Sequence, residues 1–251
     1  MNDTATWIRR FFPSDEAAVQ LICLPHAGGS APFYRPVAQA LSPQIEVLAV
    51  QYPGRQDRRR EPMLETIEDL ADGVAAAVRE AVDRPYALFG HSMGATLAFE
   101  VARRLESSGS DPLRIFASGR RAPSTHRDEQ VHQRDDDGVI AELRTLSGTD
   151  QRVFGDEELL RMVLPAIRND YRAAETYTCA PDVRVKAPIT ALTGESDPKA
   201  SHEEVEAWAG HTEGAFDLRT YPGGHFFLID QAPDVLRVIR QGLGETVTAA
   251  R

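Results

Sequence analysis

An α/β fold, a mostly parallel sheet with helices on both faces and a helical insertion, is predicted for this chain on three observations. Apolar runs of strand length alternate with amphipathic helical runs over roughly the first 120 residues and again after 181. Between about Arg121 and Pro181 the alternation stops and only helix-like stretches remain. Finally, 251 residues that are 42% hydrophobic and 26% charged suit one globular domain with length left over for an insertion.

Taken in order, Val19–Leu24 reads as a buried strand, and Pro25-His26-Ala27-Gly28-Gly29-Ser30 as a loop. A helix is expected from Pro32 to Leu41, a strand from Ile45 to Val50, and a turn at Gln51-Tyr52-Pro53-Gly54-Arg55. Ile67 to Val82 follows as a helix. Tyr86–Phe89 is a strand, Ala95–Ala102 is helical, and Leu113–Ser118 is the next strand. In the strand-free block, helical patterns cover Val139–Leu146, Glu157–Leu164 and Ala166–Tyr177. The sheet resumes at Ile189–Thr193 and Phe216–Thr220, and a last helix starts at Phe226 or Leu228 and runs to about Gly242. A helical block of about sixty residues is long for a connection and reads as a lid over the C-terminal ends of the strands. The core is therefore assigned to 1–120 and 182–251, and the lid to 121–181.

Composition excludes several classes. A net charge of -10 argues against non-specific nucleic-acid binding. No apolar run approaches the roughly 20 residues of a membrane span, so no membrane association is expected. The N-terminus has neither a basic start nor an apolar core, which leaves no signal peptide and makes the cytoplasm the expected compartment. Cys23 and Cys179, the two cysteines, make no disulfide framework. Cys23 reads as a small buried hydrophobe, and no zinc ligand set can be assembled.

Gly90-His91-Ser92-Met93-Gly94 lies between a strand and a helix, the pattern of a nucleophile elbow that lifts a serine hydroxyl above a sheet edge. Ser92 sits in a strained conformation there, and a Cβ at either flanking glycine would press the helix from the strand. A serine needs a base, itself oriented by a third group. In α/β hydrolases these follow in the order acid, then histidine. Asp197 and His225 lie after the strands ending near Thr193 and Thr220, on the edge where Ser92 emerges. Glu195 shares the loop with Asp197 and is its rival for the acid. Among the other histidines, His91 is adjacent to the nucleophile and should point elsewhere, and His26 comes too early for the order. His126, His132, His202 and His211 sit in polar stretches and read as solvated. One oxyanion donor should be the backbone N–H of Met93, and the other should come from the loop containing Ala27-Gly28-Gly29.

Pro25-His26-Ala27-Gly28-Gly29-Ser30, Tyr52-Pro53-Gly54-Arg55, Gly90-His91-Ser92-Met93-Gly94 and Gly223-Gly224-His225-Phe226-Phe227 together resemble the motif set of the type II thioesterases. These are free-standing α/β hydrolases that serve polyketide synthases and non-ribosomal peptide synthetases. The resemblance runs from about Trp7 to Gly242 and is loosest in the lid. It implies Ser92, Asp197 and His225 as the triad and Ala27 with Met93 as the oxyanion donors. It also implies hydrolysis of acyl thioesters from the phosphopantetheine arm of an acyl or peptidyl carrier protein. No metal or organic cofactor is called for. The alternatives are a carboxylesterase or lipase on small oxyesters, a product-releasing terminal domain, and a non-catalytic hydrolase-fold binding protein. Arg55, Arg58, Arg59 and Arg60 form a basic run that reads either as a solvated loop or as a positive patch facing an acidic carrier.

Overall fold

A computed structural model describes residues 4–146 and 157–249, with few gaps in the side chains of those spans. The chain starts with a short helix α1 (Thr4–Trp7) and a three-residue strand β1 (Ile8–Arg10), then β2 (Val19–Leu24). A 3-10 turn (Ala31–Tyr34) leads into α2 (Arg35–Leu41), followed by β3 (Ile45–Val50), α3 (Ile67–Ala81), β4 (Tyr86–His91) and α4 (Met93–Ser107). After β5 (Ile115–Ser118) come α5 (Asp136–Leu146) and α6 (Glu157–Thr176). Next are β6 (Ile189–Gly194), α7 (His202–Glu206), β7 (Phe216–Tyr221), α8 (Phe227–Asp230) and α9 (Ala232–Ala249).

Among the described residues the strands form one sheet in the order β1-β3-β2-β4-β5-β6-β7. Every pairing is parallel except β1 with β3. β2 is buried at all six positions, and its side chains go alternately to two cores. Ile22 and Leu24 join α3 and α4 on one face, while Leu21 and Cys23 join α2 and α9 on the other. Cys23 is fully buried, as expected, and that burial pushes its thiol up.

The chain goes from β2 outward to β3 on one side and then crosses to β4 on the other. Strand order reverses at that point, so the C-terminal ends of β2 and β4 border the crevice where parallel sheets of this kind bind ligands. The loop of residues 25–30 and Ser92 are brought together by this topology.

Several elements differ from the sequence expectation, the short N-terminal helix α1 among them. β1 was missed because three residues carry no periodicity, and its burial changes from buried Ile8 to exposed Arg10. α7 was missed although Ser201 and Glu204 form a capping box, each closing on the other's backbone N–H. The two lid stretches expected on either side of Pro165 are one helix, α6. Buried Leu164, Ala166 and Ile167 pack on both sides of the proline, which holds the helix together despite the lost donor. The last helix is instead split at Gln231, whose ψ of 20° is not helical, and α9 restarts with Pro233 in its first turn. α9 also passes through Gly242 rather than stopping there. A Cβ at that glycine would come 3.1 Å from the Phe116 ring of β5, so its smallness serves packing against the sheet.

Among the described residues of 121–181 there is no strand, and α5 and α6 share a separate apolar cluster. It contains Val139, Ile140, Leu160, Leu164, Ile167 and Tyr171, and Ala27 and Phe226 of the core pack against it. The side chains of Leu159 and Met162, in the expected helical stretch Glu157–Leu164, lie outside the described residues. Among the described residues no helix is long and apolar enough to cross a membrane.

Candidate active site

Ser92 sits between β4 and α4 at φ 56°, ψ -122°, a conformation that side-chain-bearing residues rarely adopt. Its N–H donates to the Ser118 carbonyl of the neighbouring strand at 2.8 Å, which fixes the turn. The flanking glycines are sterically required. A Cβ at Gly90 would lie 1.9 Å from the Gly94 carbonyl oxygen, and one at Gly94 would lie 2.1 Å from the Leu24 carbonyl oxygen. The second contact is with the end of β2, so Gly94 lets α4 close on the loop of residues 25–30. Met93 opens α4, and its N–H therefore has no partner within the helix.

Asp197 and His225 come together as the order of the chain requires. His225 Nδ1 lies 2.9 and 3.0 Å from the two Asp197 carboxylate oxygens, and the two side chains are 2% and 0% exposed. Asp197 Oδ1 also accepts the Lys199 N–H at 2.8 Å. The two loops that carry them are zipped together. Glu195 N–H donates to the Tyr221 carbonyl at 2.9 Å and Ser196 N–H to the Gly223 carbonyl at 3.0 Å. A Cβ at Gly194 would come 2.3 Å from the Gly224 carbonyl oxygen, so only glycine permits that approach. Glu195 is exposed, and among the described residues no hydrogen bond or ion pair joins it to His225. Among the described residues no hydrogen bond joins Ser92 Oγ to His225. In unliganded enzymes this contact commonly tightens only around substrate.

The remaining histidines separate on structure. His91 is turned to Ser118, its Nδ1 paired with Ser118 Oγ at 3.0 Å, and its ring lies 5.0 Å from that of His225. Burial, then the nearby His225 and His26, hold it well below the usual histidine range. His26 is wedged between Phe33 and Phe226, with ring centroids 4.8 and 5.0 Å away. Desolvation, followed by the charges of His225 and Arg55, pushes it down to about 3. Both are neutral at ordinary pH. His126 and His202 are exposed as expected, but His132 and His211 are not solvated. His132 bonds Glu175, and His211 is buried beside Trp208 with Ser124 Oγ at 2.7 Å and the Val183 carbonyl at 2.8 Å. Partners distant in sequence account for this, Glu175 for His132 and Phe99 for His211.

In the loop after β2, Gly29 N–H donates to the His26 carbonyl at 2.8 Å and Gly28 N–H to Asp170 Oδ2 at 2.7 Å. Ala27 N–H has no acceptor among the described residues. Two tyrosine hydroxyls hold the base of the loop: Tyr34 donates to the Leu24 carbonyl at 2.8 Å and Tyr52 to the Pro25 carbonyl at 3.1 Å. Tyr34 and Asp170 were not singled out from sequence, and Tyr52 only as part of the Tyr52-Pro53-Gly54-Arg55 motif. Asp170 carried a signal, because it is an acid three residues from Ile167 on the apolar stripe of an amphipathic helix.

Two of the four arginines of the basic run are internal. Arg55 is 7% exposed and grips Asp170. Arg58, 6% exposed, donates to the Gln51 carbonyl at 2.8 Å, pairs with Glu61 and stacks 4.4 Å over the Trp7 ring. These two therefore belong neither to a solvated loop nor to an outward patch, whereas Arg59 and Arg60 are exposed. Among the described residues no group of three or more His, Cys, Asp or Glu could hold a metal ion.

Comparison with known proteins gives a consistent set of relatives. A family model described as a thioesterase domain matches residues 19–243. "Thioesterase PikA5" of Streptomyces venezuelae is 52% identical over 96% of this chain and 86% of its own length. A "Probable cadicidin biosynthesis thioesterase" of Streptomyces griseus is 54% identical over 96% of this chain and 67% of its own. Among solved structures, the type II thioesterase BorB from the borrelidin biosynthetic cluster superposes with a TM-score of 0.90 at 55% identity. That match covers 95% of this chain and 98% of BorB.

Proposed function

This chain belongs to the thioesterase family and is an α/β-hydrolase thioesterase, and on that premise we propose how it works and on what. Its substrate is an acyl thioester on the phosphopantetheine arm of an acyl or peptidyl carrier protein. It removes such acyl groups during editing of a polyketide or non-ribosomal peptide assembly line. The observation that carries the mechanism is the buried Asp197–His225 pair, on loops at the same C-terminal edge of the parallel strands as the serine on its glycine-flanked elbow.

Ser92 Oγ attacks the thioester carbonyl while His225 Nε2 takes its proton. Asp197 holds Nδ1–H and steadies the imidazolium that forms. The oxyanion lies between the N–H groups of Met93 and Ala27, two donors with no acceptor among the described residues. Collapse of the tetrahedral intermediate breaks the C–S bond, and His225 protonates the departing thiolate. The same imidazole then deprotonates a water that attacks the acyl-Ser92 ester and frees the acid. The helical block of 121–181 acts as a lid whose apolar cluster, resting on Ala27 and Phe226, borders the acyl site and sets chain preference.

The test compares one acyl chain presented three ways: on a carrier protein, as its N-acetylcysteamine thioester and as its p-nitrophenyl ester. A kcat/KM highest on the carrier and lowest relative to intrinsic reactivity on the aryl ester is expected. A preference for the aryl ester with no gain from the carrier would favour a small-ester carboxylesterase.

A further inference from the structure

Both peptide planes flanking Ala27 are pinned. The His26 carbonyl accepts Gly29 N–H at 2.8 Å, and a peptide unit is planar and trans, so Ala27 N–H must point the opposite way from that carbonyl. On the other side, Gly28 N–H is held at 2.7 Å by Asp170 Oδ2. Asp170 is not a residue of that loop; it comes from α6, in the lid.

Asp170 is itself clamped. Arg55 reaches its two oxygens with both Nη atoms at 2.5 and 2.8 Å, and Nη1 also donates to the Gly29 carbonyl at 3.3 Å. The carboxylate is 0% exposed and the guanidinium 7%. A buried ion pair contributes little net stability over apolar residues of similar volume, but the bidentate fork fixes a carboxylate in plane. Here the fixed carboxylate is aimed at the backbone of the loop that faces Ser92. One turn earlier on the helix, Ile167 Cγ1 would lie 2.5 Å from any Cβ at Gly28, so the helix packs directly on the loop. A second tie joins the lid to the other catalytic loop. Glu142 of α5 pairs with Lys199, whose N–H holds Asp197 Oδ1.

We propose that Asp170, clamped by Arg55, is a positioning residue that aims the Ala27 N–H at the oxyanion, so the oxyanion site is complete only while the lid is docked. Lifting α6 to admit an acyl chain withdraws the carboxylate and frees the Gly28 peptide. Docking restores both, which confines hydrolysis to the closed, water-poor state. The inference rests on the triad and oxyanion roles proposed above.

The test uses Asp170→Asn, which removes the charge at constant shape, and Arg55→Lys, which keeps a cation beside Asp170 but not the two-pronged grip. Rates on butyryl-N-acetylcysteamine are expressed per serine labelled to completion by a fluorophosphonate, so unfolded protein does not count. Affinity for butylboronic acid, whose tetrahedral serine adduct mimics the oxyanion, is measured alongside. Loss of an aimed donor should lower kcat per labelled serine by about 10- to 100-fold with KM little changed. Boronate affinity should fall by a similar factor. Variants with lower Tm or a smaller labelled fraction, but wild-type kcat per labelled serine and wild-type boronate affinity, would make the clamp purely structural and overturn the inference. Undiminished turnover in Ser92→Ala would instead overturn the triad on which it rests.

Discussion

Gly94 offers the sharpest geometric test of the elbow. A methyl group there would lie 2.1 Å from the Leu24 carbonyl oxygen and 2.8 Å from that of Pro25. Both are backbone atoms, so no side chain can swing aside. To go from 2.1 Å to an ordinary 3.4 Å contact, α4 and the end of β2 must separate by about 1.3 Å. Forced overpacking of this kind costs about 1–3 kcal/mol, and the rigid sheet on one side argues for the upper end. Ser92 and the Met93 N–H ride on the same helix start, and a misplacement near 1 Å costs roughly 100-fold in rate. Gly94→Ala should therefore lower urea-unfolding stability by about 2–3 kcal/mol and kcat per labelled serine by about 100-fold. The control is Gly210→Ala, where nothing lies within 4 Å of the added methyl, and stability should stay within about 0.5 kcal/mol of wild type. Wild-type stability and rate in Gly94→Ala would refute the close approach.

Asp197→Asn should lower kcat by about 10⁴-fold, because its Oδ1 is committed to the Lys199 N–H and the amide would turn its NH₂ toward His225 Nδ1, favouring the wrong tautomer. Glu195→Gln, at an exposed site, should be nearly silent in the same steady-state assay, and the reverse ranking would move the acid to Glu195. Acid stability should report on His26. Its proton is lost near 3 in the folded protein and near 6.5 when unfolded, so below about pH 6.5 the unfolded state binds the extra proton. Stability from this group is full above pH 6.5 and declines by about 1.4 kcal/mol per pH unit toward 3. Urea titrations at pH 7 and 5 should show that slope reduced in His26→Gln, and an unchanged slope would contradict it. Ile167→Ala, opening space beside the Gly28 loop, should raise kcat/KM for longer acyl chains relative to acetyl by at most about two-hundredfold. A uniform loss on all chains would place the channel elsewhere.

The candidate triad stood out in sequence because its chemistry demands particular residue types in a fixed order after strands, and the structure brings two of its members, Asp197 and His225, into contact. The strands β2 to β6 were legible because strands buried on both faces read as continuous apolar runs. The clamp on the oxyanion loop was not. Arg55 and Asp170 are 115 residues apart, and nothing local in either segment names the other. Arg55 and Arg58 looked like surface charge for the same reason, since their burial depends on Asp170, Gln51 and Trp7 closing over them. His211 reads as polar-loop histidine until Phe99 and Trp208 pack around it. Tertiary partners, not local patterns, decide these positions.

Covalent chemistry at Ser92 is the core of the proposed mechanism. Wild-type protein is mixed with an acyl-N-acetylcysteamine thioester, acid-quenched within the first turnover and digested for mass spectrometry. The expected result is the acyl mass on the peptide containing Ser92, its absence in Ser92→Ala, and a loss of turnover in that variant of about 10⁶-fold. Thioester hydrolysis that continues at more than a few per cent of the wild-type rate in Ser92→Ala, with no acyl adduct on the wild-type peptide, would contradict it.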